Sequence, residues 1–176
     1  MARLVGPQVL QRLRGDVEVA AETLVEQLLA RQRFDAATDL VSPFTVAVIA
    51  DAVGLPREGR EQLPVFGQLA LASSGPRNAS FDAALAPVQS SGTMQWVQQM
   101  CERESLAPGG LGAQLYLAAD AGEITAARAQ RLVRVFHTAA VDTTITTLIN
   151  GLMNFIENPE QWVLLRQDRS RARGRV

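Results

Sequence analysis

Apolar residues recur along this chain mostly at three- and four-residue spacing, in blocks separated by short glycine- and proline-containing breaks, so the chain reads as a run of amphipathic helices. Between Asp16 and Ala30, the residues Val17, Ala20, Ala21, Leu24, Val25, Leu28 and Leu29 share one face, opposite Glu18, Glu22, Glu26 and Gln27. Asp16 after Gly15 is the expected N-cap. Residues 34–40 lack that spacing and read as a short strand or loop. Ser42-Pro43 predicts the next start, with Ser as cap and Pro in the first turn. That helix carries Phe44, Val48, Ile49, Ala52 and Val53 and stops at Gly54-Leu55-Pro56. A third helix is expected from Glu58 to Ala72, with a bend at Pro64, before the Ser73–Pro76 break. Asn78 or Ser80 caps a longer helix towards Glu104, interrupted at Pro87 and Gly92. Past Pro108-Gly109-Gly110, a short helix from Leu111 to Ala121 ends at Gly122.

The last long block starts at a Thr125 cap and runs to Glu157, about 50 Å at 1.5 Å per residue. Leu132, Val135, Phe136, Ala139, Ala140, Ile145, Leu148, Ile149, Leu152, Met153 and Ile156 cover most of its circumference. A helix apolar nearly all round is a central one. Asn158-Pro159-Glu160-Gln161 then restarts the chain, with Asn as cap and Pro in the first turn. The expected fold is mainly α, one helical domain over residues 1–165. A disordered tail is expected over 166–176, where Arg166, Arg169, Arg171, Arg173 and Arg175 face a lone Asp168.

Composition narrows the class. With 47% hydrophobic and 20% charged residues the chain is globular rather than disordered. All 17 basic residues are Arg, and the net charge of -1 gives no overall field for nucleic acid or anionic lipid. The single cysteine, Cys101, excludes an internal disulfide, and no Cys/His zinc spacing is present, which fits a reducing cytoplasm. Val135–Ile156 is long enough for a membrane span. It contains Asp142, His137, five Thr and two Asn, so a buried helix of a soluble domain is the expected reading.

The candidate chemistry lies in Ala139-Ala140-Val141-Asp142-Thr143-Thr144-Ile145-Thr146-Thr147. Five β-branched residues in a row are poor helix formers, and a buried Asp is costly without a partner. Local rules broken together mark either a functional site or a core polar network whose Thr hydroxyls bond back to carbonyls one turn earlier.

Residues 139–144 resemble the central-helix motif of the cytochromes P450, Ala/Gly-Gly-x-Asp/Glu-Thr-Thr/Ser. Asn150 to Trp162, Asp51 to Pro56, Leu106 to Gly112 and Asp120 to Thr125 resemble family segments in the same order, over nearly the whole chain. The resemblance implies the helical portion of a haem-thiolate monooxygenase, inserting one oxygen atom from dioxygen into an apolar organic substrate. An aromatic acid is one such substrate class. The implied cofactor is haem b and the implied electron donor a ferredoxin-type protein. Asp142 and Thr143 would be the catalytic acid and alcohol that relay protons to oxygen. Ala139, Ala140, Thr143 and Thr144 would lie against the cofactor, and Val135 and Phe136 against the substrate. Ala140 stands where the family usually has Gly, so a narrower oxygen groove is expected there.

The family's axial cysteine sits in a Phe-x-x-Gly-x-x-x-Cys-x-Gly loop, and no such loop occurs here. Cys101 follows Met94–Met100, without the Phe or Gly, and is expected to be an inert thiol. His137 is expected to be a core or interface residue rather than a metal ligand. No metal site is therefore assigned to this chain's own residues. A truncated, inactive chain with exposed apolar faces, prone to self-association, is the expectation. The alternatives are a non-catalytic helical ligand-binding module and a remnant without activity.

Overall fold

A computed structural model describes residues 7–168 and residue 170. Arg169 and residues 171–176 of the expected tail lie outside them, as do Met1–Gly6. The helices are α1 (Pro7–Leu29), α2 (Ser42–Val53), α3 (Gln62–Ala72), α4 (Ala79–Ser90), α5 (Thr93–Met100), α6 (Leu111–Asp120), α7 (Ala126–Glu157) and α8 (Pro159–Gln167). A π-helical turn spans Ala36–Val41, and a 3-10 turn spans Arg103–Ser105. No strand occurs among the described residues, so the chain is mainly α, as expected.

Several boundaries follow side-chain caps. Thr125 accepts from the Arg128 N–H (3.2 Å), and Asn78 accepts from Ser80 and Phe81 N–H (3.0 and 3.2 Å). Residues 36–41 are helical, not strand or loop. Asp35 accepts from Ala37 and Thr38 N–H (2.8 and 2.9 Å), while the Asp35 N–H donates to Asp39 Oδ2 (2.8 Å). These reciprocal bonds start a helix whose apolar spacing gives no hint of it. The turn runs straight into α2, so Val41 is already helical and Ser42 does not cap. The helix expected from Asn78 to Glu104 is divided by Gly92, whose φ of 72° breaks it into α4 and α5. Asn158 closes α7 instead of capping α8: its Nδ2 donates to Asn154 O (2.9 Å). α1 begins at Pro7, ahead of Asp16, and α8 continues through Arg166 and Gln167.

α7 lies at the centre, packed against α2, α3 and α6 and touching α8. Its buried positions are Ala129, Val133, His137 and Val141, one every four residues. They meet Leu63 and Phe66 of α3, Ala50 and Val53 of α2, Met100 of α5, and Leu115 and Tyr116 of α6 in the core. α2 and the loop before α6 are clasped at two glycines. Ala107 N–H donates to Gly54 O (2.8 Å), and a Cβ on Gly110 would sit 2.7 Å from Val53 O. Only glycine fits that approach.

α7 is not covered all round. Val135, Met153 and Ile156 are exposed. Its second half forms one wall of an apolar depression of about 280 Å³, shared with Val25 of α1 and Phe44 of α2. One stretch among the described residues, Ala36–Val53, has the length and mean hydropathy (1.5) that a membrane crossing would require. Within it Val41, Thr45, Ala50 and Val53 are buried.

Candidate functional site

α3 and α7 enclose a groove of about 340 Å³. From α7 come Arg134, Val135, Thr138, Ala139, Asp142 and Thr143; from α3 come Phe66, Gly67, Ala70 and Leu71, with Ser74 just beyond its end. Gly67 faces Asp142 across the groove; a Cβ there would lie 3.5 Å from the Asp142 Cβ, an ordinary packing distance. Asp142 is half-buried rather than buried, so water reaches its carboxylate and no cation partner is required.

Thr143 is exposed, and its hydroxyl donates to Ala139 O (2.6 Å), with a longer approach to Ala140 O (3.4 Å). Thr138 and Thr147 make the same bond to Arg134 O and Thr143 O (both 2.7 Å). These back-bonds let a Thr-rich segment stay helical, and α7 runs unbroken past Ala139 and Ala140. Asp142 and Thr143 share the groove, but no hydrogen bond joins them. Successive helical positions diverge by about 100°, so neighbours in sequence do not face each other.

The same geometry sorts the other expected positions. Val135 and Ala139 line the groove, each about one turn from the next. Ala140 and Thr144 are half-buried and outside the groove lining. Phe136, grouped with Val135 from the sequence, packs against the core instead. The α3 wall and Arg134 were not legible, because nothing in the sequence says which helix lies across α7.

His137 is completely buried on the packed side of α7, its ring centroid 5.9 Å from that of Phe66. Neither ring nitrogen has a hydrogen-bond partner. Burial pushes its pKa down to about 4, and the positive charge of Arg134 adds to the effect. Cys101 is buried beyond the end of α5 and lines a different cleft from the groove. Burial pushes its thiol up to about 11, against a smaller opposing pull from Arg134. Neither sulfur nor imidazole of this chain therefore opens onto the groove.

No protein-family model matches the chain. Among curated proteins it is 34% identical over 174 residues to cytochrome p450 CYP199A2 of Rhodopseudomonas palustris, covering 98% of this chain and 42% of that protein. It is 22% identical over 165 residues to the steroid C26-monooxygenase of Mycolicibacterium smegmatis, covering 93% and 38%. Its backbone superposes on P450BioI, crystallised with an acyl carrier protein carrying hexadec-9Z-enoic acid, with a TM-score of 0.74 at 20% identity. That match covers 93% of this chain and 42% of the other. The chain is a partial cytochrome P450. A second solved P450, CYP154A1 from Streptomyces coelicolor, gives a TM-score of 0.72 at 19% identity, again over 42% of its length. The P450 chain described here thus spans about two-fifths of its relatives, and its helices follow the P450 fold.

Proposed function

We propose that this chain supplies the oxygen-side wall of a haem monooxygenase, with Asp142 and Thr143 as its proton-handling pair. The observation that carries the reading is their joint exposure to one groove of α7, beside Ala139. Ala139 offers only a methyl group on the open face, which suits the close approach of a flat macrocycle. Ala139 and Thr143 would touch the cofactor directly, with Ala140 and Thr144 behind them. When bound, haem would supply the redox chemistry of oxygen activation.

The residues fit one side of that group only. Cys101 faces another cleft and is held as a thiol, so it would not hold that group. Thr143 must release Ala139 O before its hydroxyl can donate into the groove. Asp142 then restores the proton through a bridging water, since the two side chains do not meet. The substrate is an apolar organic molecule against Val135, Phe66 and Leu71. Dioxygen and a ferredoxin-type donor complete the reaction, in a cytoplasmic setting that suits the chain's one thiol. By itself the chain is inactive, and its open apolar faces favour self-association.

Two measurements test this. The chain with added haem, reduced and exposed to carbon monoxide, should show no thiolate-type absorption; such a band, or peroxide-driven hydroxylation by the chain alone, would overturn the exclusion of Cys101. The second is a chimera of the Rhodopseudomonas palustris relative that carries this α7 in place of its matching helix. It should couple dioxygen consumption to product. Asp142→Asn or Thr143→Ala should then reduce coupled turnover by about 100-fold or more, the usual scale of general acid–base catalysis. Unchanged coupling in both variants would remove the assignment.

A further inference from the structure

A second cleft, of about 200 Å³, lies between α5 and α7 and has no part in the oxygen chemistry. Its polar lining is Gln98 of α5 and Gln130, Arg131 and Arg134 of α7, above a floor that includes Val97 and Cys101. No carboxylate lines it. Among the described residues neither Arg131 nor Arg134 is in any of the four ion pairs, which are made by Arg14, Arg31, Arg60 and Arg103. The charge of Arg134 also bears on the ionisation of both Cys101 and His137. Among the described residues, the two guanidinium groups of this cleft therefore have no ion-pair partner.

We propose that this cleft binds a small oxyanion, a carboxylate or phosphate group, between the Arg131 and Arg134 guanidinium groups and the Gln98 and Gln130 amides. Guanidinium N–H groups present paired donors that match oxyanion geometry, and amide N–H₂ groups add neutral donors. The cleft is smaller than the 300–1,000 Å³ typical of drug-sized ligand pockets, so it takes a single anionic group on a short stem. The carbonyl end of α5 borders the site, an unfavourable neighbour for an anion. Part of that effect is blunted: the Tyr116 hydroxyl already donates to Cys101 O (2.8 Å). Arg134 lines both this cleft and the α3–α7 groove, so an occupant here also fixes one wall of the groove.

The chain's single cysteine reports on occupancy. Iodoacetamide alkylation of Cys101 in the native full chain is followed by mass spectrometry while phosphate or acetate is titrated at fixed ionic strength against chloride. Binding to the folded state should slow alkylation saturably, by about tenfold at ten times the half-saturating concentration. Arg131→Gln should raise the half-saturating concentration about tenfold, as loss of a charge-assisted bond requires. Arg128→Gln, one turn away and outside the cleft, should leave it unchanged. Should Arg131→Gln fail to fold by circular dichroism, Gln98→Ala provides the same comparison. Slowing that chloride reproduces, that never saturates, or that survives both substitutions overturns the proposal.

Discussion

His137 makes the stability of this chain depend on pH in a calculable direction. Its imidazole is fully enclosed beside Phe66, without a partner for either nitrogen, and its pKa falls from the ordinary 6.5 to about 4. Between those values the unfolded chain binds a proton that the folded chain refuses. The His137 contribution is therefore fully present above pH 6.5, is lost as pH falls, and levels off below about pH 4. The difference of 2.5 between 6.5 and about 4, at about 1.36 kcal/mol per pH unit, makes the full loss about 3 kcal/mol. By pH 5 the loss is about 2 kcal/mol, or about 1 M in urea midpoint for an unfolding slope near 2 kcal/mol/M. Urea titrations from pH 7.5 to 4.5 on the wild type and on His137→Leu measure it, since carboxylate titrations are common to both proteins. The variant should lose that part of the slope. At pH 7.5 it should be at least as stable as the wild type, because two orphaned ring atoms are removed. Parallel pH profiles for the two proteins would refute the reasoning.

Other consequences can be checked by the same unfolding measurements. Gly110→Ala should cost about 1–3 kcal/mol, the range for overpacking, because its Cβ meets Val53 O at 2.7 Å. Gly151→Ala, within α7 with nothing inside 4 Å of the added carbon, should stabilise by about 1 kcal/mol through helix propensity; equal effects of the two changes would contradict the packing. Tyr116→Phe should destabilise by about 1–3 kcal/mol by stranding the buried Cys101 carbonyl; a neutral result would mean that carbonyl finds another donor. At pH 8, Cys101 should alkylate at least about 100-fold more slowly in the folded chain than in concentrated urea, since its raised pKa depletes the thiolate. Similar rates in the two conditions would show the thiol to be open.

The sequence carried most helix starts and stops because those depend on local chemistry, although it read α4 and α5 as one interrupted helix. Thr125, Asn78 and Gly54 act at their own positions, and the length of α7 follows from uninterrupted periodicity. Where two residues cooperate the signal weakens. Asp35 and Asp39 wind residues 36–41 by mutual bonds, a pairing that apolar spacing does not register. Asn158 had two helix ends to serve and serves the earlier one. In the site, the motif found Asp142, Thr143 and Ala139, all of which share the groove. It could not separate Val135 from Phe136, which are adjacent in sequence but a third of a turn apart around the helix. Nor could it find Phe66 and Leu71, which line the groove only once α3 lies across α7. The apolar circumference of α7 marked it as central, and its exposed Val135, Met153 and Ile156 are the uncovered faces that the same pattern led one to expect.

The four buried residues of α7 recur at every fourth position, from Ala129 to Val141. A four-residue step overshoots a full turn by about 40°, so over three steps the packed side rotates by about 120° within about 18 Å. The uncovered side must rotate with it. Near Thr143 it looks across α3, whereas near Leu152 it looks towards α1 and α2. No flat body can lie along both. Whatever covers this helix has to arrive as two differently oriented pieces, or as one that is itself wound.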